Sequence, residues 1–137
     1  MKGFVLDASL TLAWLFEDES DDGADALLDE LVEGNGFAPT TWSLETAQGI
    51  LRAERLRRID RPTALALSRQ LVALELTLVP IGAEDAHRDI IAVARRHQVS
   101  VYDASYLHVA LVTALPLATR DRAQADAAAA AGVRLLS

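Results

Sequence analysis

Short apolar runs rich in branched residues alternate along this chain with longer amphipathic segments, and no other feature narrows its fold as far. A strand buried inside a parallel sheet is covered on both faces, so it reads as a brief continuous apolar run, whereas a covering helix carries one apolar stripe. The runs at 3–6, 36–38, 76–79, 115–118 and 133–136 predict five strands. Helical patterns at 10–16, 22–32, 41–57, 62–74, 83–97, 103–112 and 122–131 lie between them. The expectation is an α/β fold with three layers, α/β/α, around a mainly parallel central sheet of about five short strands. Local punctuation agrees: Pro62 suits the first position of a helix, Asp103 and Asp121 stand where N-caps are expected, and Gly132 is placed to end the last helix. The alanine run at 127–131 reads as a helix lying close to a sheet.

With 137 residues, 51% of them hydrophobic, the chain has the size of one domain, 1–137, able to bury a continuous core. It has no cysteine, which excludes disulfides and thiolate metal sites and fits a reducing cytoplasm. The apolar stretch at 4–16 is broken by Asp7 and followed by acids, so it reads as folded structure and not as a signal peptide. No apolar run approaches the roughly 20 residues needed to cross a bilayer, and a soluble, cytoplasmic protein is expected. The net charge of −7 at first argues against a nucleic-acid partner. Its distribution reverses that argument. Nine acids lie within 17–33, which has no Lys or Arg, and elsewhere 13 basic residues face 11 acids, a balance of +2. The acidic stretch reads as a solvated loop and helix face, with 17–23 as a mobile loop, or as a docking face for a basic partner.

In an open α/β sheet, function gathers beyond the carboxyl ends of the strands. Asp7 directly follows the first strand, Asp121 lies just past the fourth, and Asp103 opens a helix after a turn-like segment at 98–102. Glu45 lies in the first turns of the helix after the second strand and projects toward the same edge. Each acid has a plainer reading: Asp7 or Ser9 caps a helix, Asp103 and Asp121 cap theirs, and Glu45 is a surface residue. Gathered at one edge, the four would repel one another until a divalent cation neutralised them. Carboxylates without a Cys or His cluster favour Mg²⁺ or Mn²⁺ over Zn²⁺.

The local sequences then become recognisable. Phe4-Val5-Leu6-Asp7-Ala8-Ser9 resembles the opening motif of PIN-domain nucleases, especially the VapC-type toxins of bacterial toxin–antitoxin pairs. Ala38-Pro39 leading to Leu44-Glu45 looks like the second motif, Tyr102-Asp103-Ala104-Ser105-Tyr106-Leu107 is similar to the third, and Leu117-Ala118-Thr119-Arg120-Asp121 resembles the fourth. The ordered set spans nearly the whole chain. It departs from many relatives at Gln48, which stands three residues after the Glu where they carry Asn. The resemblance implies an endoribonuclease in which Asp7, Glu45, Asp103 and Asp121 hold one or two Mg²⁺ or Mn²⁺ ions, directly or through water. It also implies a homodimer and a small antitoxin partner that places a basic residue in the acidic site. Such a partner's extended segment is expected to cover the helices between 10 and 32. Ser9 and Thr119 are candidates to hydrogen-bond the ligands, although capping serves both equally.

Arg52 lies seven residues after Glu45 on the same helical face and is a candidate phosphate clamp. Arg55, Arg57, Arg58 and Arg61 either extend a phosphate track or form a solvated helix end favoured by the macrodipole. Gly49 costs its helix about 1 kcal/mol relative to Ala, which suggests close approach of another segment. His87, His97 and His108 form no constellation, and Trp14 and Trp42 read as core or interface anchors. Other folds with a strand-end Asp fit poorly: haloacid-dehalogenase-like phosphatases need a second Asp where Ser9 stands. Receiver domains and phosphate-binding Gly-rich loops need a Lys, and the only one here is Lys2. The competing reading is a PIN-like module that binds RNA or protein without cleaving it.

Overall fold

The computed structural model describes residues 3–16, 29–31 and 33–136. Among these residues four short strands form one parallel sheet: β1 (Phe4–Leu6), β2 (Gly36–Pro39), β3 (Thr77–Val79) and β4 (Leu117–Ala118), in the order β3-β2-β1-β4. Every residue of central β1 is buried, which is why that strand reads as an unbroken apolar run. The predicted fifth strand is a correction. Residues 133–136 contribute a single parallel bridge, Leu117 to Leu135, held by Leu117 N–H on the Arg134 carbonyl (2.8 Å) and Leu136 N–H on the Leu117 carbonyl (2.9 Å).

Among the described residues six helices connect and flank the strands: α1 (Ala8–Phe16), α2 (Thr41–Arg55), α3 (Arg61–Ala73), α4 (Ile91–His97), α5 (Val101–Thr113) and α6 (Arg122–Ala130). A π-helical segment, Asp85–Ile90, leads into α4. Residues 29–31 are also helical; most of the helix predicted at 22–32, and the loop at 17–23, lie outside the described residues. Helix α5 packs across β1, β2 and β4, and its Tyr106, Leu107 and Val109 are fully enclosed. No described helix is long and apolar enough to cross a membrane.

Several helix starts differ from expectation. Helix α5 begins two residues before Asp103, because Ser100 is its N-cap and accepts the Asp103 N–H at 3.0 Å. Asp60, not Pro62, sets the start of α3: its carboxylate accepts the Thr63 N–H at 2.8 Å and is held below its ordinary pKa by the Thr63 side chain first and that N–H second, with Pro62 inside the first turn. Asp121 does cap α6, accepting the Gln124 N–H at 3.2 Å. Gly132 follows α6 at φ 83°, the left-handed conformation that ends helices cheaply only at glycine. The close approach expected at Gly49 is real: a Cβ there would meet both methyls of Leu12 on α1, at 2.5 and 2.7 Å.

Helix α5 ends on Ala114 with φ 58° and ψ 35°, a left-handed conformation for a residue with a Cβ. Ala114 is solvent-exposed, so a glycine there removes strain without removing packing. Ala114→Gly is expected to stabilise the fold by about 1 kcal/mol, raising Tm by roughly 4 °C. A circular-dichroism melt with Tm unchanged or lowered would refute this.

Candidate active site

The sheet reverses its order at β1, since β2 and β3 lie on one side of it and β4 on the other. A crevice therefore opens beyond the carboxyl ends of β1 and β4, and the chain leaving those strands supplies Asp7, Thr119 and Asp121. Asp7 is almost fully buried, at 4% exposure. Its Oδ2 accepts the Thr119 hydroxyl at 2.6 Å and its Oδ1 accepts the Ser9 N–H at 3.3 Å. Thr119 Oγ1 also accepts the Asp121 N–H at 3.1 Å. Because the one Thr119 proton goes to Asp7, the Ser9 hydroxyl 3.2 Å away is the donor in that pair, and Ser9 Oγ in turn accepts the Arg120 N–H at 3.4 Å. Ser9 and Thr119 thus join the two sides of the crevice and aim the carboxylate between them.

Asp103 and Glu45 reach this edge from α5 and α2. Burial raises the pKa of Asp7, and the Asp103 charge adds to it against the lowering effect of Thr119 and Ser9. Burial also raises Asp103, with the Asp121 charge reinforcing it. Glu45 is pushed up to about 7, first by burial, then by the charges of Asp7 and Asp103, with Tyr106 and Thr41 acting the other way. The charges of Asp7, Asp103 and Asp121 thus act within one electrostatic neighbourhood that also includes Glu45. They stop short of a preformed cage: among the described residues no three Asp, Glu or His side chains are grouped closely enough to hold an ion. Mg²⁺ does not require one, since it keeps several waters and binds through one or two carboxylates. Glu45 Oε1, buried without a hydrogen-bond partner, is an oxygen of the kind a hydrated hard cation satisfies.

The predicted substrate residues stand apart from this network. Gln48 and Arg52 are exposed on α2, and among the described residues neither is hydrogen-bonded to an acid. Three supporting residues carry little sequence signal. Gln124, fully buried, accepts nothing through its side-chain oxygen, but its Nε2 donates to the Asp103 carbonyl at 2.8 Å while its backbone N–H meets Asp121. It ties α6 to α5 between the two acids. Trp42 Nε1 donates to Thr11 Oγ1 at 3.0 Å, and Thr11 Oγ1 donates to the Asp7 carbonyl at 3.1 Å. An apolar groove of about 370 Å³ lies elsewhere, between α2, α3 and β3, and no acid lines it.

A parallel α/β domain whose strand-end loops gather acids at an open edge is the class that fold and site define. The PIN domain family matches residues 4–130, and the chain belongs to that family. Two solved structures share the fold. The crystal structure of PAE2754 from Pyrobaculum aerophilum has a TM-score of 0.70 at 21% identity, covering 92% of this chain and 84% of that one. The crystal structure of FitAcB from Neisseria gonorrhoeae has a TM-score of 0.70 at 17% identity, covering 98% of this chain and 96% of that one. No curated protein matches the sequence.

Proposed function

We propose that the chain is a Mg²⁺- or Mn²⁺-dependent endoribonuclease of the VapC type, the toxin of a toxin–antitoxin pair, with Asp7, Glu45, Asp103 and Asp121 as its metal-binding acids. What supports this reading is the convergence of acids from four separate segments on the sheet's reversal point, where burial first and neighbouring carboxylates second raise the pKa of Asp7, Glu45 and Asp103. Stability alone gives no reason to crowd them there. When bound, a divalent ion supplies an activated water and neutralises charge on the phosphoryl oxygens. The chain's own part is to aim Asp7 through Thr119 and Ser9, keep Glu45 half-shielded from water, and fix Asp103 and Asp121 through Gln124. Arg52, Arg55, Arg57 and Arg58, all exposed toward the far end of α2 and just beyond it, supply positive charge for a polyanion that extends past the acids. The test is cleavage of RNA with and without Mn²⁺, comparing the wild type with Asp103→Asn. Metal-independent cleavage, or none by a folded wild type, overturns the reading. The latter result favours the non-catalytic binding module.

The ion should be visible in a melt. At ten times its dissociation constant it adds about 1.4 kcal/mol, roughly 4 °C of Tm, and Asp7→Asn should remove most of that gain. The pH dependence has a definite sign. The Glu45 carboxyl keeps its proton up to about 7 in the fold, against an ordinary 4.5, so across that interval the folded state binds more protons. Metal-free stability therefore declines as pH rises from about 4.5 to about 7, and stabilisation by Mn²⁺ grows over the same interval as the carboxylate becomes free to bind. A Mn²⁺ gain that is flat between pH 5 and 8 would contradict this.

A basic antitoxin seated over 10–32 predicts that reversing the charge of Asp25, Asp29 and Glu30 together weakens its binding at least tenfold. Calorimetry giving unchanged affinity would remove that docking face. Size-exclusion chromatography tests the homodimer.

A further inference from the structure

The nuclease reading leaves one buried polar group at the site without a task. Tyr106 lies on α5 three residues after Asp103, fully enclosed in the core, yet its hydroxyl has no hydrogen-bond partner. Leaving a phenol O–H unpaired in a core costs free energy that a phenylalanine avoids. The polar neighbours that act on it are Glu45, Asp7 and the Ala8 backbone. Glu45 carries the same anomaly, since its Oε1 is buried and unpaired as well. Two complementary buried atoms, a donor on α5 and an acceptor on α2, are thus both left without a partner in side chains that act on each other.

We infer that Tyr106 is a positioning residue, whose phenol O–H donates to Glu45 Oε1 and fixes the direction in which that carboxylate faces Asp7 and Asp103. Glu45 sits on a helix that must bring its carboxylate in from the flank of the sheet, whereas Asp7 is held by Thr119 and Ser9. Among the described residues Thr41 is the other side chain whose hydroxyl acts on Glu45, and Thr41 Oγ1 is shared with Ser105 at 3.4 Å. The tyrosine hydroxyl is therefore the donor with no competing commitment. For its consequence in metal binding and cleavage this inference rests on the nuclease reading; the contact itself stands without it.

The chain has two tyrosines, and the other, Tyr102, is exposed, so a protein labelled with ¹³Cζ-tyrosine gives two separable signals. In the metal-free protein at pH 8.5, where Glu45 is ionised, Glu45→Gln should move the Tyr106 signal and leave that of Tyr102 in place, because a charged acceptor has become a neutral one. A Tyr106 signal unmoved by Glu45→Gln overturns the inference. Tyr106→Phe, which removes only the unpaired hydroxyl, should melt within about 2 °C of the wild type. It should weaken Mn²⁺ binding, read by calorimetry, about tenfold, and Tyr106→Phe added to Glu45→Gln should weaken it no further. Additive losses would assign Tyr106 a purely structural role and overturn the inference. A Tyr106 response in a protein that cleaves no RNA upholds the contact and refutes only the nuclease reading.

Discussion

Glu45→Gln is expected to reduce Mn²⁺-dependent RNA cleavage by roughly a thousandfold while making the metal-free protein more stable above pH 7. The two effects share one cause. Burial and the neighbouring charges of Asp7 and Asp103 resist ionisation of Glu45, raising its pKa to about 7, so above that pH the fold carries a carboxylate it would rather keep protonated. Gln has nearly the same shape without the charge, and removing the charge relieves the repulsion. In the proposed reaction the same negative charge helps hold the ion. Losing an ion's help at the phosphoryl oxygens and at the attacking water costs several kcal/mol of barrier, and about 4 kcal/mol corresponds to a thousandfold in rate. A variant both less active and less stable at pH 8 would point to simple damage. One that is more stable and equally active would remove Glu45 from the site. The combination of higher Tm and lost cleavage marks a residue whose strain is kept for function.

Much of this was legible in the sequence, for reasons that can be stated residue by residue. Strands β1 and β2 and the Leu117–Ala118 pair of β4 are enclosed, so burial printed itself as continuous apolar runs. The acids stood out because a charge directly after a buried strand is an anomaly unless something uses it. The run at 133–136 looked the same as the others, but it pairs only at Leu117 along the sheet margin, and local composition does not encode pairing length. The start of α5 was misplaced although Ser100-Val101-Tyr102-Asp103 carries a Ser followed by an acid three residues later, the pattern of a capping box. The N-cap was the serine, which leaves the Asp103 carboxylate unengaged as a cap. Tyr106 and Gln124 were invisible as site residues for another reason. Each looks ordinary on a helix, and its proximity to an acid on another segment exists only after the helices pack.

Trp42→Ala should have the largest effect on stability, since this side chain is both core and hydrogen-bond anchor. The residue is 5% exposed within the main core, and truncating a buried Trp to Ala costs about 3–5 kcal/mol. A domain whose total stability is on the order of 5–15 kcal/mol then loses a large part of it, and Tm should fall by more than about 10 °C. Trp42→Phe separates the two roles. It keeps most of the apolar volume but removes the N–H that meets Thr11 Oγ1 at 3.0 Å, for a cost of about 1 kcal/mol. Thr11 keeps its own bond to the Asp7 carbonyl, so Asp7 remains seated while α2, which carries Glu45, loses a hydrogen bond to α1 and keeps only its packing there, as at Gly49 against Leu12. Weakened Mn²⁺ binding in Trp42→Phe, beyond what its small change in Tm explains, is the expected result. If Trp42→Ala melts within a few degrees of the wild type, the helix bearing Glu45 is anchored elsewhere, and the route from core packing to carboxylate placement does not run through Trp42.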